Sequence, residues 1–226
     1  MKTALITGAN RGIGLELARQ LKGKGYYVIG CCRNPAQANE LNQYADEIIQ
    51  LDVTQDNDIA SLQQSLKNSP IDLLVNNAGI TGEQGVTTGN INRSNFINVL
   101  NVNCISVVKL SDALLPNIQA SQEKSILVIS SRVGSIADND QGRSYAYRTS
   151  KAALNCAMHS FAIDVKDKGV HVMLIHPGWV KTNLGGPDAL IDVQTSVTGM
   201  LAQAEKELSR SHADKLHRFD GGVIPW

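Results

Sequence analysis

The sequence predicts an α/β fold: a doubly wound parallel sheet of about seven strands with helices on both faces. Three observations lead there. Within residues 2–21 the apolar run Ala4-Leu5-Ile6 breaks at Gly8-Ala9-Asn10-Arg11-Gly12-Ile13-Gly14, and Leu15, Leu17, Ala18 and Leu21 then recur at near-helical spacing. Further short apolar runs follow, separated by segments of helical pattern, which is the alternation that builds a parallel sheet. No linker, internal repeat or low-complexity tract divides the 226 residues, so positions 1–226 read as one domain.

Composition narrows the function. A chain this long buries roughly 70–75% of its unfolded surface, enough for a core without staples. Lys+Arg number 21 against 21 Asp+Glu, and no basic tract stands out. Bulk attraction to nucleic acid or an anionic membrane is thereby disfavoured, and any anion recognition has to be local. Cys31, Cys32, Cys104 and Cys156 contain no Cys-x-x-Cys, and an adjacent pair does not easily close a disulfide. Reduced thiols in a cytoplasmic protein are the simplest reading. No apolar run approaches the ~20 residues of a membrane span, and a strand starting at residue 2 or 3 leaves no room for a signal peptide. The sequon Asn92-Arg93-Ser94 is discounted in that location.

Strand, glycine-rich turn and helix together present bare backbone N–H groups and a helix N-terminus to a phosphate. The glycines serve a tight turn, close approach of backbone to a diphosphate, and close packing of helix on strand. Alone such a turn is a weak signal; here both flanks are right. The spacing departs from Gly-x-Gly-x-x-Gly: Thr7-Gly8 is followed by Gly12 and Gly14. This Thr-Gly-x-x-x-Gly-x-Gly resembles the short-chain dehydrogenase/reductase family. The resemblance implies a Rossmann-like domain whose turn, Gly8, Asn10, Arg11, Gly12, Ile13 and Gly14, binds a nicotinamide dinucleotide.

Residues 26–31 read as the second strand. At its end, Gly30-Cys31-Cys32-Arg33-Asn34 offers an arginine and no acid. A ribose 2′-hydroxyl is usually met here by Asp or Glu, and a 2′-phosphate by Arg. Arg33, with Arg11 in reach of the same region, therefore points to NADP(H); the plainer reading of each is a solvated surface charge. One charge-assisted hydrogen bond contributes ~1.5–3 kcal/mol, on the order of ten- to hundredfold preference. Residues 35–44, led by Pro35, are expected to be helical. Residues 47–51 are the third strand, ending at Asp52-Val53. The resemblance gives this pair to the adenine; Asp52 could equally belong to the N-cap region of the next helix, 56–66. The fourth strand, 71–75, runs into Asn76-Asn77-Ala78-Gly79, a second motif shared with the family. Asn76 should hold strands together, while Asn77, Ala78 and Gly79 line the cofactor.

Residues 82–90 should be loop. Residues 96–115 carry an apolar run that reads as a long, mostly buried helix stopped near Pro116. Asn103, inside that run, is either a buried side chain satisfied by neighbours or, by resemblance, the residue that bends the helix and holds a water in the proton path; Asn101 is its rival. The fifth strand, 125–130, ends in Ser130-Ser131-Arg132-Val133-Gly134. The family's catalytic serine stands three before the glycine, at Ser131, leaving Ser130 structural. In Tyr147-Arg-Thr-Ser-Lys151 the tyrosine and lysine lie one helical turn apart, on a helix running to about residue 165, with Tyr145 as the decoy. The sixth strand, 170–175, leads to His176-Pro177-Gly178-Trp179-Val180-Lys181-Thr182. The resemblance assigns Pro177, Gly178, Val180 and Thr182 to the carboxamide and phosphates. His176 reads as structural, with no metal-type histidine cluster around it. A helix over 193–208 precedes Phe219-Asp-Gly-Gly-Val-Ile-Pro-Trp226, and the short loop and Pro-Trp ending resemble the C-factor and sniffer-type carbonyl reductase branch.

The implied chemistry is hydride transfer between nicotinamide and a carbonyl carbon. Tyr147 is the general acid, its phenol lowered from about 10 by Lys151 and the nicotinamide charge. Ser131 hydrogen-bonds the substrate oxygen as charge develops, Lys151 also holds the ribose, and Asn103 completes the relay. The expectation is NADPH-dependent reduction of a small aldehyde, ketone or dione, by a possible homodimer joined through helices 96–115 and 147–165. Ser131 to Tyr147 is a few residues longer than the commonest family spacing, which an extra loop at 137–142 would absorb. A non-catalytic NADP(H)-binding signalling protein is the rival. A serine hydrolase is disfavoured, since Gly142-Arg-Ser144-Tyr-Ala146 lacks the second glycine and a preceding strand.

Overall fold

Eight strands form one sheet in the computed structural model, which describes residues 1–67 and 69–226. They are β1 (Thr3–Thr7), β2 (Tyr27–Cys32), β3 (Glu47–Gln50), β4 (Leu73–Asn76), β5 (Ser125–Ile129), β6 (His171–His176), β7 (His212–Arg218) and β8 (Val223–Ile224). Their order is β3-β2-β1-β4-β5-β6-β7-β8, parallel throughout except that β8 runs antiparallel to β7. The strand order reverses between β1 and β4, the place where open sheets of this kind leave a crevice at their carboxyl ends. The sheet has one strand more than the expected seven or so. The two strands not located in the sequence are the last pair, β7 and β8; β7, His-Ala-Asp-Lys-Leu-His-Arg, carries no apolar run to announce it, and β8 is two residues long.

The helices are α1 (Gly12–Gly23), α2 (Asp56–Leu66), α3 (Arg93–Leu100), α4 (Ser106–Ala113), α5 (Leu115–Gln119), α6 (Tyr145–Val165) and α7 (Val193–Glu207). Apolar strands of a doubly covered sheet must bury both faces, and two cores result. One holds Leu62, Leu110, Ile118 and Met158 from α2, α4, α5 and α6, with Leu114 at the α4–α5 junction. The other holds Leu17 and Leu21 of α1 with Val197, Met200 and Leu201 of α7.

Two expected helices differ. Residues 35–44 form only two 3₁₀ turns, Pro35–Gln37 and Leu41–Gln43. Asn34, Asn39 and Asn42 are poor helix formers, and the segment buries only Ala38 and Leu41, so no helical stripe exists to stabilise more. Residues 96–115 are not one helix. Asn92 starts α3 early, its side chain accepting from the Ser94 and Asn95 N–H groups. Between α3 and α4, Asn101–Ile105 is a π-helical segment, where the Asn101 carbonyl accepts from the Ser106 N–H and from its hydroxyl at 2.8 Å. α4 ends at Ala113, close to the expected stop near Pro116; Pro116 itself sits at the start of α5, where its missing N–H has no partner to lose.

A Cβ on Gly14 would lie 2.2 Å from the Gly8 carbonyl oxygen, whereas one on Gly23 meets nothing within 4 Å. Gly14→Ala should therefore destabilise by about 1–3 kcal/mol through overpacking, while Gly23→Ala, a helix-propensity gain, should stabilise by up to ~1 kcal/mol. Thermal unfolding of the two variants reads the opposite signs.

Candidate active site

The carboxyl ends of β1 and β4 are joined by one hydroxyl. Thr7 Oγ1 accepts from the Asn77 and Ala78 N–H groups, both at 3.0 Å, and donates to the Val75 carbonyl at 3.4 Å. Asn77 answers with its side-chain amide, donating to the Thr7 and Gly8 carbonyls at 2.8 and 3.2 Å. This clamp fixes the glycine turn, with Gly8 and Gly12 at φ of +63° and +53°. Asn10 and Ile13 are half-buried within the turn, and Arg11 is exposed at the N-cap of α1. The turn also meets the segment after β6: a Cβ on Gly12 would come 3.3 Å from Thr182 Cγ2. That segment is tied down at Pro177, whose carbonyl accepts from Ser196 Oγ, and at Val180, which bridges Ile191. Gly178, at φ of +88°, has Ile191 and Phe219 where a Cβ would stand.

Asn103 is fully buried and its side chain is satisfied. Its Oδ1 accepts from the Ile80 N–H at 2.9 Å; its Nδ2 donates to the Ile80 carbonyl at 2.8 Å and to Ser150 Oγ at 3.0 Å. Ser150 in turn donates to the Tyr147 carbonyl. The π segment thus pins the strand-β4 loop at Gly79-Ile80 to the helix bearing Tyr147. Asn101 makes its contacts through its backbone carbonyl, and the side chain at the helix junction is that of Asn103.

Ser131 follows β5 and is buried, and its Oγ accepts from the Val133 N–H at 3.4 Å. The 3₁₀ turn Arg132–Gly134 lies directly on α6: a Cβ on Gly134 would be 2.7 Å from the Lys151 carbonyl carbon. Ser130 points to the core side and donates to Asn155 Oδ1 at 2.6 Å, the structural part expected of it. Lys151 is 5% exposed; its Nζ donates to the Ile129 carbonyl at 2.9 Å and stands 6.0 Å from the Tyr147 ring centroid. Its Nζ is also 3.9 Å from where a Gly79 Cβ would be. Burial pushes the Lys151 ammonium down to about 8. Burial pushes the Tyr147 phenol up, with the Ser131 hydroxyl pulling the other way through a hydrogen bond. The expected lowering of Tyr147 by Lys151 therefore does not arise from these residues alone; burial raises the phenol, and the opposing pull comes from Ser131. His176, half-buried at the end of β6, is pushed down to about 4 by burial, then by the charges of Arg218 and Arg132, and is neutral near pH 7.

Arg33 and Asp52 form a separate group at the ends of β2 and β3, three and four strand spacings, ~14 and ~19 Å, from β5. Arg33 is exposed. Burial raises the Asp52 carboxyl, but hydrogen bonds from Thr54 and the Arg33 charge outweigh it and the net direction is down. Asp52 makes a local turn with the Thr54 amide and hydroxyl, and the N-cap of α2 is Gln55. Val53 is half-buried beside it. Sequence reading missed Thr7 as the clamp and Ile129 as the partner of Lys151. The first was legible as the hydroxyl preceding Gly8; the second is a backbone carbonyl and leaves no sequence signal.

This is a doubly wound α/β protein whose crevice gathers a glycine turn, an Asn-Ala-Gly wall and a Ser-Tyr-Lys group on one edge of the sheet. The short chain dehydrogenase family model matches residues 2–189, and the chain belongs to that family, an oxidoreductase family. The C-signal of Myxococcus xanthus is 36% identical over 157 residues, 70% of this chain and 93% of that one. Among solved structures, the carbonyl reductase Sniffer of D. melanogaster superposes with a TM-score of 0.89 at 31% identity over 100% of both chains. The NADPH-bound carbonyl reductase from chicken fatty liver gives a TM-score of 0.87 at 34% identity, over 100% of this chain and 99% of that one. No helix among the described residues is long and apolar enough to cross a membrane.

Thr7→Val keeps the shape and deletes the acceptor of two amides. It should cost about 1–3 kcal/mol for each amide left unpaired, while Thr7→Ser retains most of the stability. Denaturant unfolding of the two variants separates the hydroxyl from the methyl group.

Proposed function

We propose that this protein reduces the carbonyl of a small aldehyde, ketone or dione with NADPH. The observation that carries the reading is the convergence of Ser131, Tyr147 and Lys151 from β5 and α6 beneath Gly79 and Asn103. The residues present suit a dinucleotide. Gly14 has no room for a side chain against Gly8, and the Lys151 ammonium is buried with the Ile129 carbonyl as its one hydrogen-bond partner among the described residues, leaving N–H groups for sugar hydroxyls. Gly8, Asn10, Gly12, Ile13 and Gly14 would hold the diphosphate, and Arg11 and Arg33 the 2′-phosphate. Asp52 and Val53 would face the adenine; Asn77, Ala78 and Gly79 the adjoining ribose; and Pro177, Gly178, Val180 and Thr182 the nicotinamide end.

When bound, NADPH supplies the hydride that the carbonyl carbon receives. The chain's own residues handle the oxygen. Ser131 donates a hydrogen bond to it as charge develops, and Tyr147 gives it a proton. Lys151 keeps a positive charge one turn from the phenol, which favours the tyrosinate left behind. Asn103 holds the π segment against Ile80 and keeps the helix bend from which protons are resupplied. The single known property that favours a second reading, a non-catalytic signalling protein, is the likeness to the C-signal. A pure binder has no use for Ser131 beside Tyr147. Ile97, Ile105 and Ile163 stand exposed on α3, the π segment and α6, and form the face a second copy would cover in a homodimer.

Tyr147→Phe should lower carbonyl reduction by about 10²–10⁴-fold with NADPH affinity unchanged, measured on a panel of aldehydes, ketones and diones by nicotinamide absorbance. Turnover equal to wild type would remove the assigned acid. Arg33→Ala should narrow the preference for NADPH over NADH by about ten- to hundredfold, read as the ratio of kcat/KM for the two nucleotides. Equal use of both by the unmodified protein would contradict the reading of Arg11 and Arg33.

A further inference from the structure

Residues 135–144 connect the serine turn to α6, and both ends of the connection are held by specific contacts. At the entry, the Trp226 carbonyl accepts from the Ala137 N–H at 3.0 Å and from Ser135 Oγ at 3.4 Å. At the exit, Gly142, Arg143 and Ser144 adopt φ of +61°, +56° and +45° in succession. Two of these three carry side chains, for which the left-handed region is disfavoured. Ser144 is the N-cap of α6 and its side chain makes no capping bond, so the cap itself does not stabilise the conformation. Strain of this kind persists only where surrounding contacts over-determine it.

One set of contacts that does so comes from Arg148, the neighbour of Tyr147, beside the Val86 carbonyl, which accepts from the Ser144 N–H at 3.4 Å, and Asn139 Oδ1, which accepts from the Gly142 N–H at 3.1 Å. Arg148 Nε donates to the Gly142 carbonyl at 2.8 Å, and its Nη1 reaches the Val133 carbonyl at 3.4 Å. Val133 is the residue whose N–H donates to Ser131 Oγ. One guanidinium therefore bridges the turn that carries Ser131 and the strained exit that sets the first turn of the tyrosine helix. A planar fork can serve two carbonyls at once with fixed geometry; an ammonium on a flexible stem cannot.

We propose that Arg148 is a positioning residue that fixes Ser131 against Tyr147 by clamping Val133 and Gly142. The inference rests on the functional reading above. Arg148→Met should lower kcat about ten- to hundredfold, the scale expected when a reacting group is misplaced by about an ångström. NADPH affinity and melting temperature should stay close to wild type. The falling limb of reduction at high pH should move to higher pH, because the Ser131 hydroxyl no longer lowers the phenol. Arg148→Lys should recover only part of kcat, and Ser144→Gly, which relieves one left-handed side chain, should recover part of it in the Arg148→Met background. Hydrogen exchange supplies a readout that needs no substrate: amides of 131–134 and 142–144 should exchange at least about tenfold faster in Arg148→Met, with the glycine turn unchanged. Unchanged exchange at those two segments overturns the proposal. So does an unmoved pH limb with unchanged kcat, or a loss of kcat matched by equal losses of NADPH affinity and melting temperature. Absence of any turnover by wild type would sink the functional reading, and the exchange result would then decide the clamp by itself.

Discussion

The site depends on one buried ammonium. Lys151 sits inside the packed junction of β5, α6 and the loop after β4, and the Ile129 carbonyl is the hydrogen-bond partner it has there. A charge taken out of water without a carboxylate beside it is unfavourable, and the price appears as a lysine pushed down to about 8. Between about pH 8 and 10.5 the unfolded chain holds a proton that the folded chain has released, so stability rises with pH across that window. The fold tolerates this because the surrounding packing leaves no alternative. Gly134 seats the serine turn on the Lys151 backbone, and Asn103 locks Ile80 across from it. A buried cation with unfilled donors is poorly placed for stability and well placed for a polar ligand that brings hydroxyls.

Around this group the sheet does the positioning. Every residue assigned to chemistry or to the nucleotide lies at or just beyond the carboxyl end of a strand, or on the helix that follows. Thr7 joins β1 to β4 and to the loop after it with three hydrogen bonds, which ties the glycine turn to the Asn-Ala-Gly wall. The Gly12–Thr182 approach closes the opposite side. The Arg33–Asp52 pair at the far strand ends gives the crevice a length suited to a dinucleotide rather than to a small molecule alone.

Much of this could be read from residues alone, for identifiable reasons. Runs such as Ala4-Leu5-Ile6 and Val172 to Ile175 are buried on both faces and so are continuously apolar. Tyr147 and Lys151 share a face because helix geometry puts four-residue neighbours together. What escaped reading has physical causes too. β7 lies next to last in the sheet, beside the two-residue β8, and its sequence is mostly polar, so its apolar pattern is weak. Residues 35–44 had Pro35 at a good helix start but no stripe to bury. Asn92 satisfies a sequon pattern and an N-cap pattern at once, and in the fold it is the cap of α3. The Lys151–Ile129 and Arg148–Gly142 contacts end on backbone carbonyls, which any residue can supply.

The most direct test is to titrate Lys151 itself. Its ε-methylene carbon can be followed by NMR against pH in the nucleotide-free protein, with Lys151→Met to assign the signal. A midpoint near 8, well below the ordinary lysine value of about 10.4, is the result that a desolvated, unpaired ammonium requires. A midpoint at the ordinary value would mean that this side chain is solvated, and that the tyrosine beside it has no buried charge to work with.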